Sequence, residues 1–199
     1  ANVAQRAINA ACQLDYPAQR LQIQVLDDST QQDAQQIAAA ANHFAAKGHP
    51  VHYRHRNHRQ GYKAGALADG LHDATGELVA IFDADFVPKP DFLHQMLPEF
   101  DDPKVGMVQA RWSHINAEMN WLTRAQAILL DGHFLLEQRF RAMTGRWFNF
   151  NGTAGIWRTT CIDDAGGWQQ DTLTEDTDLS YRAQLKGWKF VYRPDVSAP

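Results

Sequence analysis

Asp83-Ala84-Asp85 sets two carboxylates one residue apart, at the end of the apolar run Leu78-Val79-Ala80-Ile81-Phe82. Carboxylates so spaced at a strand end can both face a divalent cation, directly or through water. Their hard oxygens suit Mg2+ or Mn2+, which keep coordination positions open for phosphate oxygens. The same residues also read as a polar turn closing a buried strand, with Pro88 and Pro90 behind it. Asp27-Asp28-Ser29 follows the alternating run Leu21 to Leu26 in the same way. That acid pair can hydrogen-bond a base or ribose, or it can support the helix that follows, an effect worth about 0.3–1 kcal/mol. A third cluster is Thr174-Glu175-Asp176-Thr177-Asp178. Crowded carboxylates raise the proton affinity of at least one member, and such a group can take the proton of an attacking hydroxyl. The alternative there is helix capping, because Thr172 and Glu175 have capping-box spacing.

Two further segments carry chemistry. His52 to Lys63 is a basic run with no acid inside it. It reads as a diphosphate-binding edge with Lys63 near a helix start, as an RNA-stacking patch using Tyr53 and Tyr62, or as a solvated loop. Its histidines have no metal-ligand spacing. Phe148-Asn149-Phe150-Asn151-Gly152-Thr153-Ala154-Gly155 combines aromatic rings, amides and glycines. That mixture suits a sugar ring, and equally a tight turn in a core. Trp168 and Trp188 read as core.

These groups need elements to position them. Leu21–Leu26 alternates like a half-buried strand, Ser29 and Thr30 are N-cap types, and Ile37, Ala41, Phe44 and Ala45 share one helical face that Gly48 closes. Val51–Arg54 reads as a short strand, Lys63–Ala74 as a helix, and Leu78–Phe82 as a strand buried on both faces. Strand and helix thus alternate, which predicts an α/β layer with a mostly parallel sheet and a ligand crevice at the carboxyl ends of its strands. If the strands run parallel, the Asp27 and Asp83 pairs reach one edge. Beyond lie a strand over Val105–Arg111, a long helical stretch with Leu122, Ala125, Leu129, Leu136 and Phe140 near a common face, a helix from Thr174 to about Lys186, and a strand over Lys189–Tyr192. The expectation is one domain over 1–199, with a nucleotide half at 1–110 and an acceptor half at 111–199.

Composition narrows the classes. The chain has 199 residues, with 19 Lys and Arg against 23 Asp and Glu, hence a net charge of −4. That balance argues against a global electrostatic grip on nucleic acid and leaves a local basic patch open. Cys12 and Cys161 are too few for a disulfide framework or a thiolate zinc cluster. No apolar run approaches the roughly 20 residues of a membrane span.

In their order, Asp27-Asp28-Ser29, Lys63-Ala64-Gly65-Ala66, Asp83-Ala84-Asp85, Phe150-Asn151-Gly152-Thr153 and Thr174-Glu175-Asp176 resemble the catalytic domain of family 2 glycosyltransferases. Phe150 to Arg158 and Asp164-Ala165-Gly166-Gly167-Trp168 are similar to its cellulose-synthase-like group, the glucan and glucomannan synthases. The resemblance implies a GT-A fold, Mg2+ or Mn2+, inversion at the anomeric carbon, a donor such as UDP-glucose or GDP-mannose, and a glycan acceptor. Carried over by motif, Asp27 and Asp28 would hold the nucleoside and Lys63 would approach the diphosphate. Asp83 and Asp85 would form the metal and diphosphate motif, with Asp85 ahead of Asp83 as direct ligand. Asp176 would be the base, with Glu175 beside it. Phe150, Asn151, Gly152 and Thr153 would border the acceptor.

The family also has an earlier strand ending in a Pro-Thr/Val-Tyr-Asn-Glu-like motif and a later Gln-x-x-Arg-Trp motif, neither within these residues. Both ends therefore read as cuts. The expected parent sits at a membrane with its catalytic domain on the cytoplasmic side, its membrane contacts coming only through segments outside this chain. Two rival readings stand. Phe82 to Val87 is superficially similar to the Asp-x-Asp-x-Thr/Val signature of haloacid-dehalogenase-like phosphatases, with Asp83 as nucleophile. The other is a non-catalytic nucleotide- or carbohydrate-binding module.

Overall fold

The computed structural model describes residues 2–199. Helix α1 (Asn2–Cys12) leads to strand β1 (Ile23–Asp27), helix α2 (Gln31–Ala46) and strand β2 (Val51–His55). β1 and β2 pair in parallel, from Ile23 opposite Val51 to Asp27 opposite His55. Their core is small: Ile23, Ala41 and Val51, with Val25, Phe44 and Tyr53 packed against it. Helix α3 (Tyr62–His72) then leads to strand β3 (Leu78–Ile81).

The remaining strands are β4 (Val105–Trp112), β5 (Gly155–Arg158) and β6 (Lys189–Ala198). They form a second sheet in the order β3-β5-β4-β6. β4 and β6 are parallel, but β5 runs antiparallel to both β3 and β4. The expected mostly parallel sheet is therefore corrected to a mixed one. The reason is the route into β5. The chain reaches it from the long helical excursion after β4 and enters it beside the last residue of β3. Gly155 consequently lies opposite both Ile81 and Gln109. Ile156 and Trp157 are each at most 1% exposed and fall into the two different main cores. β5 is thus the strand buried on both faces.

β3 does not have that character, contrary to its apolar sequence. Ala80 is exposed and only Ile81 is fully buried. β3 is an edge strand, and its free edge faces β1 across a slot of about 810 Å3. No ladder joins the two sheets across it. Asp27, Lys63 and Asp83 all line this slot.

Helix α4 (Phe92–Met96) covers the sheet with Phe92 and Met96. Helix α5 (Trp121–Asp131) starts at a capping box, in which Asn120 Oδ1 accepts from the Leu122 and Thr123 amides at 3.0 Å. It continues through a π-helical stretch (Gly132–Gln138) into α6 (Arg139–Met143). Phe134 and Gln138 are its buried side. Of the residues expected on a common face, Leu122, Leu129, Leu136 and Phe140 are 52–76% exposed and Ala125 is exposed too, and α5 has no buried residue. No described helix is long and apolar enough to cross a membrane. Helices α7 (Thr159–Asp164) and α8 (Glu175–Leu185) complete the fold. The expected capping box on α8 does not form. Its N-cap is Thr174, without a side-chain bond, and Thr172 Oγ1 is buried without a partner.

Candidate active site

Parallel pairing carries β1 and β2 to a common edge, and there Asp27 and Asp28 meet the basic run. Asp27 is buried; its Oδ1 accepts from the Ser29 amide at 2.8 Å and its Oδ2 from the Tyr53 hydroxyl at 2.8 Å. Burial pushes the Asp27 carboxyl up, but the hydrogen bonds from Ser29 and Tyr53 and the charge of His55 outweigh it and hold the group below its ordinary range. Burial and the Asp27 contact together raise the Tyr53 phenol to about 12. Tyr53 is thus turned toward Asp27, while Tyr62 at the other end of the run is 75% exposed.

Asp28 is gripped by Arg56, whose Nε reaches Asp28 Oδ1 at 2.7 Å while Nη2 binds Oδ2. Arg56 also contacts Asp69 and donates to the Gln60 and Tyr62 carbonyls. Arg59 donates to the Asp28 carbonyl, and Arg54 pairs with Asp73. Most positive charge of the basic run is therefore spent on neighbouring acids and carbonyls, and Lys63 is the member that reaches the slot. Gly65 explains the Lys-Ala-Gly spacing: a Cβ there would lie 2.2 Å from the Gln60 carbonyl oxygen and 2.7 Å from Arg56 Nη1. Only glycine lets the first turn of α3 close against the Arg56 cluster.

Lys63 Nζ binds Asp83 Oδ1 and donates to the Gly152 carbonyl at 2.8 Å. This single ammonium joins residues 20 and 89 positions away in sequence. The antiparallel entry of β5 brings the Asn151–Ala154 turn to the end of β3. Thr153 Oγ1 accepts from the Asp83 amide at 2.8 Å. Phe150 and Thr153 are fully buried, and Phe150 packs edge-on against Trp157. Asn151 donates to Gln138 at 2.9 Å. Phe150 to Thr153 therefore form the floor under the acidic groups, and two of them have no face open to an acceptor.

Asp176 approaches from the first turn of α8. Ser180 fixes that turn, donating to the Asp176 carbonyl at 2.6 Å and accepting from the Phe150 amide at 2.9 Å. Asp176 Oδ1 accepts from the Thr177 amide at 2.7 Å. Its Oδ2 points at the turn, 3.3 Å from where a Cβ on Gly152 would sit, with Lys63 Nζ 3.5 Å from the same point. Asp178 is tied to Arg182, and Glu175 is half-buried beside Asp176.

The structure thus brings Lys63, Asp83, Gly152 and Asp176 together, with Asp27 on the same slot and Asp28 one guanidinium away. Asp85 stands at the exposed tip of the β3 turn. Among the described residues no three His, Cys, Asp or Glu side chains are grouped to hold a metal ion. Two carboxylates, one of them exposed, fit a cation that also takes oxygens from a diphosphate and from water, not one caged by protein alone. Sequence reading missed Arg56 as the partner of Asp28, Ser180 as the brace of Asp176, and Gln109 and Trp112 beneath the Thr153 turn. Gln109 had a signal, being the polar residue in the run Val105–Ala110; Arg56 and Ser180 had none.

Residues 1–163 match the family described as Glycosyl transferase family 2. The chain is 48% identical over 195 residues to glucomannan 4-beta-mannosyltransferase 2 of Arabidopsis thaliana, covering 96% of this chain and 36% of that protein. It is 46% identical over 199 residues to glucomannan 4-beta-mannosyltransferase 1 of Oryza sativa subsp. japonica, covering 98% and 38%. The chain therefore spans somewhat over a third of the length of these relatives. In fold it is similar to mannosyltransferase PcManGT from Pyrobaculum calidifontis, solved with GDP-Man and Mn2+, with TM-score 0.76, 23% identity, and 100% and 52% coverage. It is also similar to S. aureus TarS 1-349 with UDP-GlcNAc, with TM-score 0.70, 16% identity, and 98% and 54% coverage. The fold is GT-A, the phosphatase reading of Asp83 falls away, and the chain belongs to glycosyl transferase family 2.

Proposed function

We propose that this chain is the catalytic domain of an inverting mannosyltransferase that takes GDP-mannose as donor and extends a β-linked glycan. The observation that carries the reading is Lys63 Nζ, shared between Asp83 and the Gly152 carbonyl with Asp176 Oδ2 beside it. An ammonium for the diphosphate, an acid pair for a divalent cation and a carboxylate with one free oxygen are the parts a single displacement needs. The names of the relatives favour mannose over glucose.

In this reading the nucleoside lies toward Asp27 and Asp28, and Lys63 meets the diphosphate. Asp85 and Asp83 would hold Mg2+ or Mn2+, which would supply positive charge for a departing diphosphate. Asp176 Oδ2 accepts the proton of an acceptor hydroxyl while that oxygen bonds the anomeric carbon and the carbon–phosphate-oxygen bond breaks. Asn151 and Gly152 border the acceptor from below. The reading extends to a parent held at a membrane, as a glucomannan synthase would be, with this domain on the cytoplasmic side.

The test is calorimetric titration of the chain with GDP, UDP, GDP-mannose and UDP-glucose, with and without Mn2+. Guanosine ligands should bind more tightly, and Asp85→Ala should lose the Mn2+-dependent part. Asp176→Asn should keep donor affinity yet lose mannosyl transfer by on the order of 10²–10⁴-fold. Preference for uridine ligands would overturn the donor assignment. Donor binding with no transfer by the parent would favour a binding module.

A further inference from the structure

Asp83 lies two residues past the end of β3, where the sheet ladder no longer holds the backbone. Its carbonyl accepts from the Phe86 amide at 3.0 Å, and its own amide is held by a hydrogen bond to Thr153 Oγ1 at 2.8 Å. Thr153 sits between two left-handed residues, Gly152 at φ +82 and Ala154 at φ +55. A non-glycine residue in that region persists only where its surroundings over-determine it. Tyr62, beside Lys63, is the other such residue among those described, at φ +46. The two strained backbones thus flank the Lys63 bridge.

Gln109 supplies the determination on the Thr153 side. It is fully buried on β4, in a strand whose other residues from Val105 to Ala110 are small or apolar. Its Nε2 donates to the carbonyls of Ala110 at 2.8 Å, Thr153 at 3.0 Å and Ala154 at 3.1 Å. Its Oε1 accepts from the Asn151 amide at 3.1 Å. Trp112 Nε1 adds a bond to the Thr153 carbonyl at 3.3 Å. One carboxamide therefore satisfies both ends of the turn.

We infer that Gln109 is a positioning residue of the donor site: it holds the Asn151–Ala154 turn so that Thr153 fixes the Asp83 backbone and Gly152 receives Lys63. Gln109 itself touches no acid of the site. It acts through Thr153, which is an element of positioning and not a contact to acceptor. The role in donor binding rests on the proposed function; the mechanical coupling from Gln109 to Asp83 does not.

Two measurements separate those parts: amide hydrogen exchange at Asp83, and GDP binding with and without Mn2+. Thr153→Val should speed Asp83 exchange and weaken Mn2+-dependent GDP binding about tenfold each, the scale of one lost hydrogen bond. Thr153→Ser, which keeps the hydroxyl, should restore both to within about twofold. Gln109→Met should reproduce the Thr153→Val effects while exchange in the β4–β6 ladder and Mn2+-independent binding stay unchanged. If that variant fails to fold, Gln109→Glu carries the same test, since it keeps the Asn151 contact and loses the three donations. The double variant with Thr153→Val should be no weaker than the weaker single, because both act along one route. Wild-type exchange at Asp83 in a folded Gln109 variant would overturn the inference, as would losses that multiply in the double variant. If the wild-type chain binds no nucleotide, the donor reading fails, and the Asp83 amide alone still decides the coupling.

Discussion

Gly152→Ala probes the crowded centre of the site with one added carbon. Gly152 is left-handed, at φ +82. An alanine there costs about 1–2 kcal/mol of backbone energy. For a chain of this size that lowers the melting temperature by roughly 2–8 °C. The new Cβ would lie 3.3 Å from Asp176 Oδ2 and 3.5 Å from Lys63 Nζ. Both neighbours are ends of flexible side chains, so the collision adds little to the stability cost. It does move the free oxygen of Asp176 by a few tenths of an ångström. Misplacement of about 1 Å costs on the order of 10²-fold in rate, so a shift of this size should cost about tenfold. Gly145 is the control: it is left-handed too, at φ +68, and a Cβ there meets nothing within 4 Å. Gly145→Ala should melt like Gly152→Ala yet release GDP from GDP-mannose at the wild-type rate. Thermal melts and a GDP-release assay on both variants decide the matter. Equal turnover in the two variants, or an unchanged melt for Gly152→Ala, would refute the reasoning.

Removing the guanidinium in Arg56→Met strands Asp28 and Asp69, whose side chains are 21% and 37% exposed. Water recovers part of the loss, so urea unfolding should show about 2–3 kcal/mol of destabilisation, below the range for a fully buried pair; a change under about 1 kcal/mol would mean the cluster is ornamental. Asp27 governs acid stability. Its folded carboxyl lies below the unfolded value of about 3.9. Its contribution is therefore fully present above that value and lost as pH falls through the lower folded one. Urea midpoints measured from pH 7 down to pH 2 should fall less steeply below about pH 4 in Asp27→Asn than in wild type, and parallel curves would count against it.

The carboxylates could be placed from sequence because each ends a segment whose own pattern is local. Leu21–Leu26 alternates and Leu78–Phe82 is uniformly apolar, so Asp27 and Asp83 fall at strand ends by inspection. Asp176 follows from the helix that starts beside it. β5 was not legible in that way. Gly155–Arg158 is four residues long, too short to show a period, and its direction depends on where the preceding helices deliver the chain. That one strand changes the sheet from parallel to mixed, and it also explains why Thr153 reaches Asp83. The burial of Phe150 and Thr153 was not legible for a related reason. Aromatic, amide and glycine residues have the same composition over a sugar as inside a turn, and only burial distinguishes them. The exposed strip on α5 and α6 shows the reverse problem: helical periodicity marks an apolar face without saying what it meets.

The slot between β1 and β3 has a mechanical consequence. The Asp27 layer rests on a minor core of its own, while Asp83 and Asp176 belong to the larger body. Side chains of α3, the Lys63 bridge, and Leu14, Tyr16 and Leu21 tie the two across this seam, and among the described residues no main-chain ladder spans it. A nucleotide that touched both banks would act as a clasp, turning two parts able to breathe separately into one that opens only as a whole.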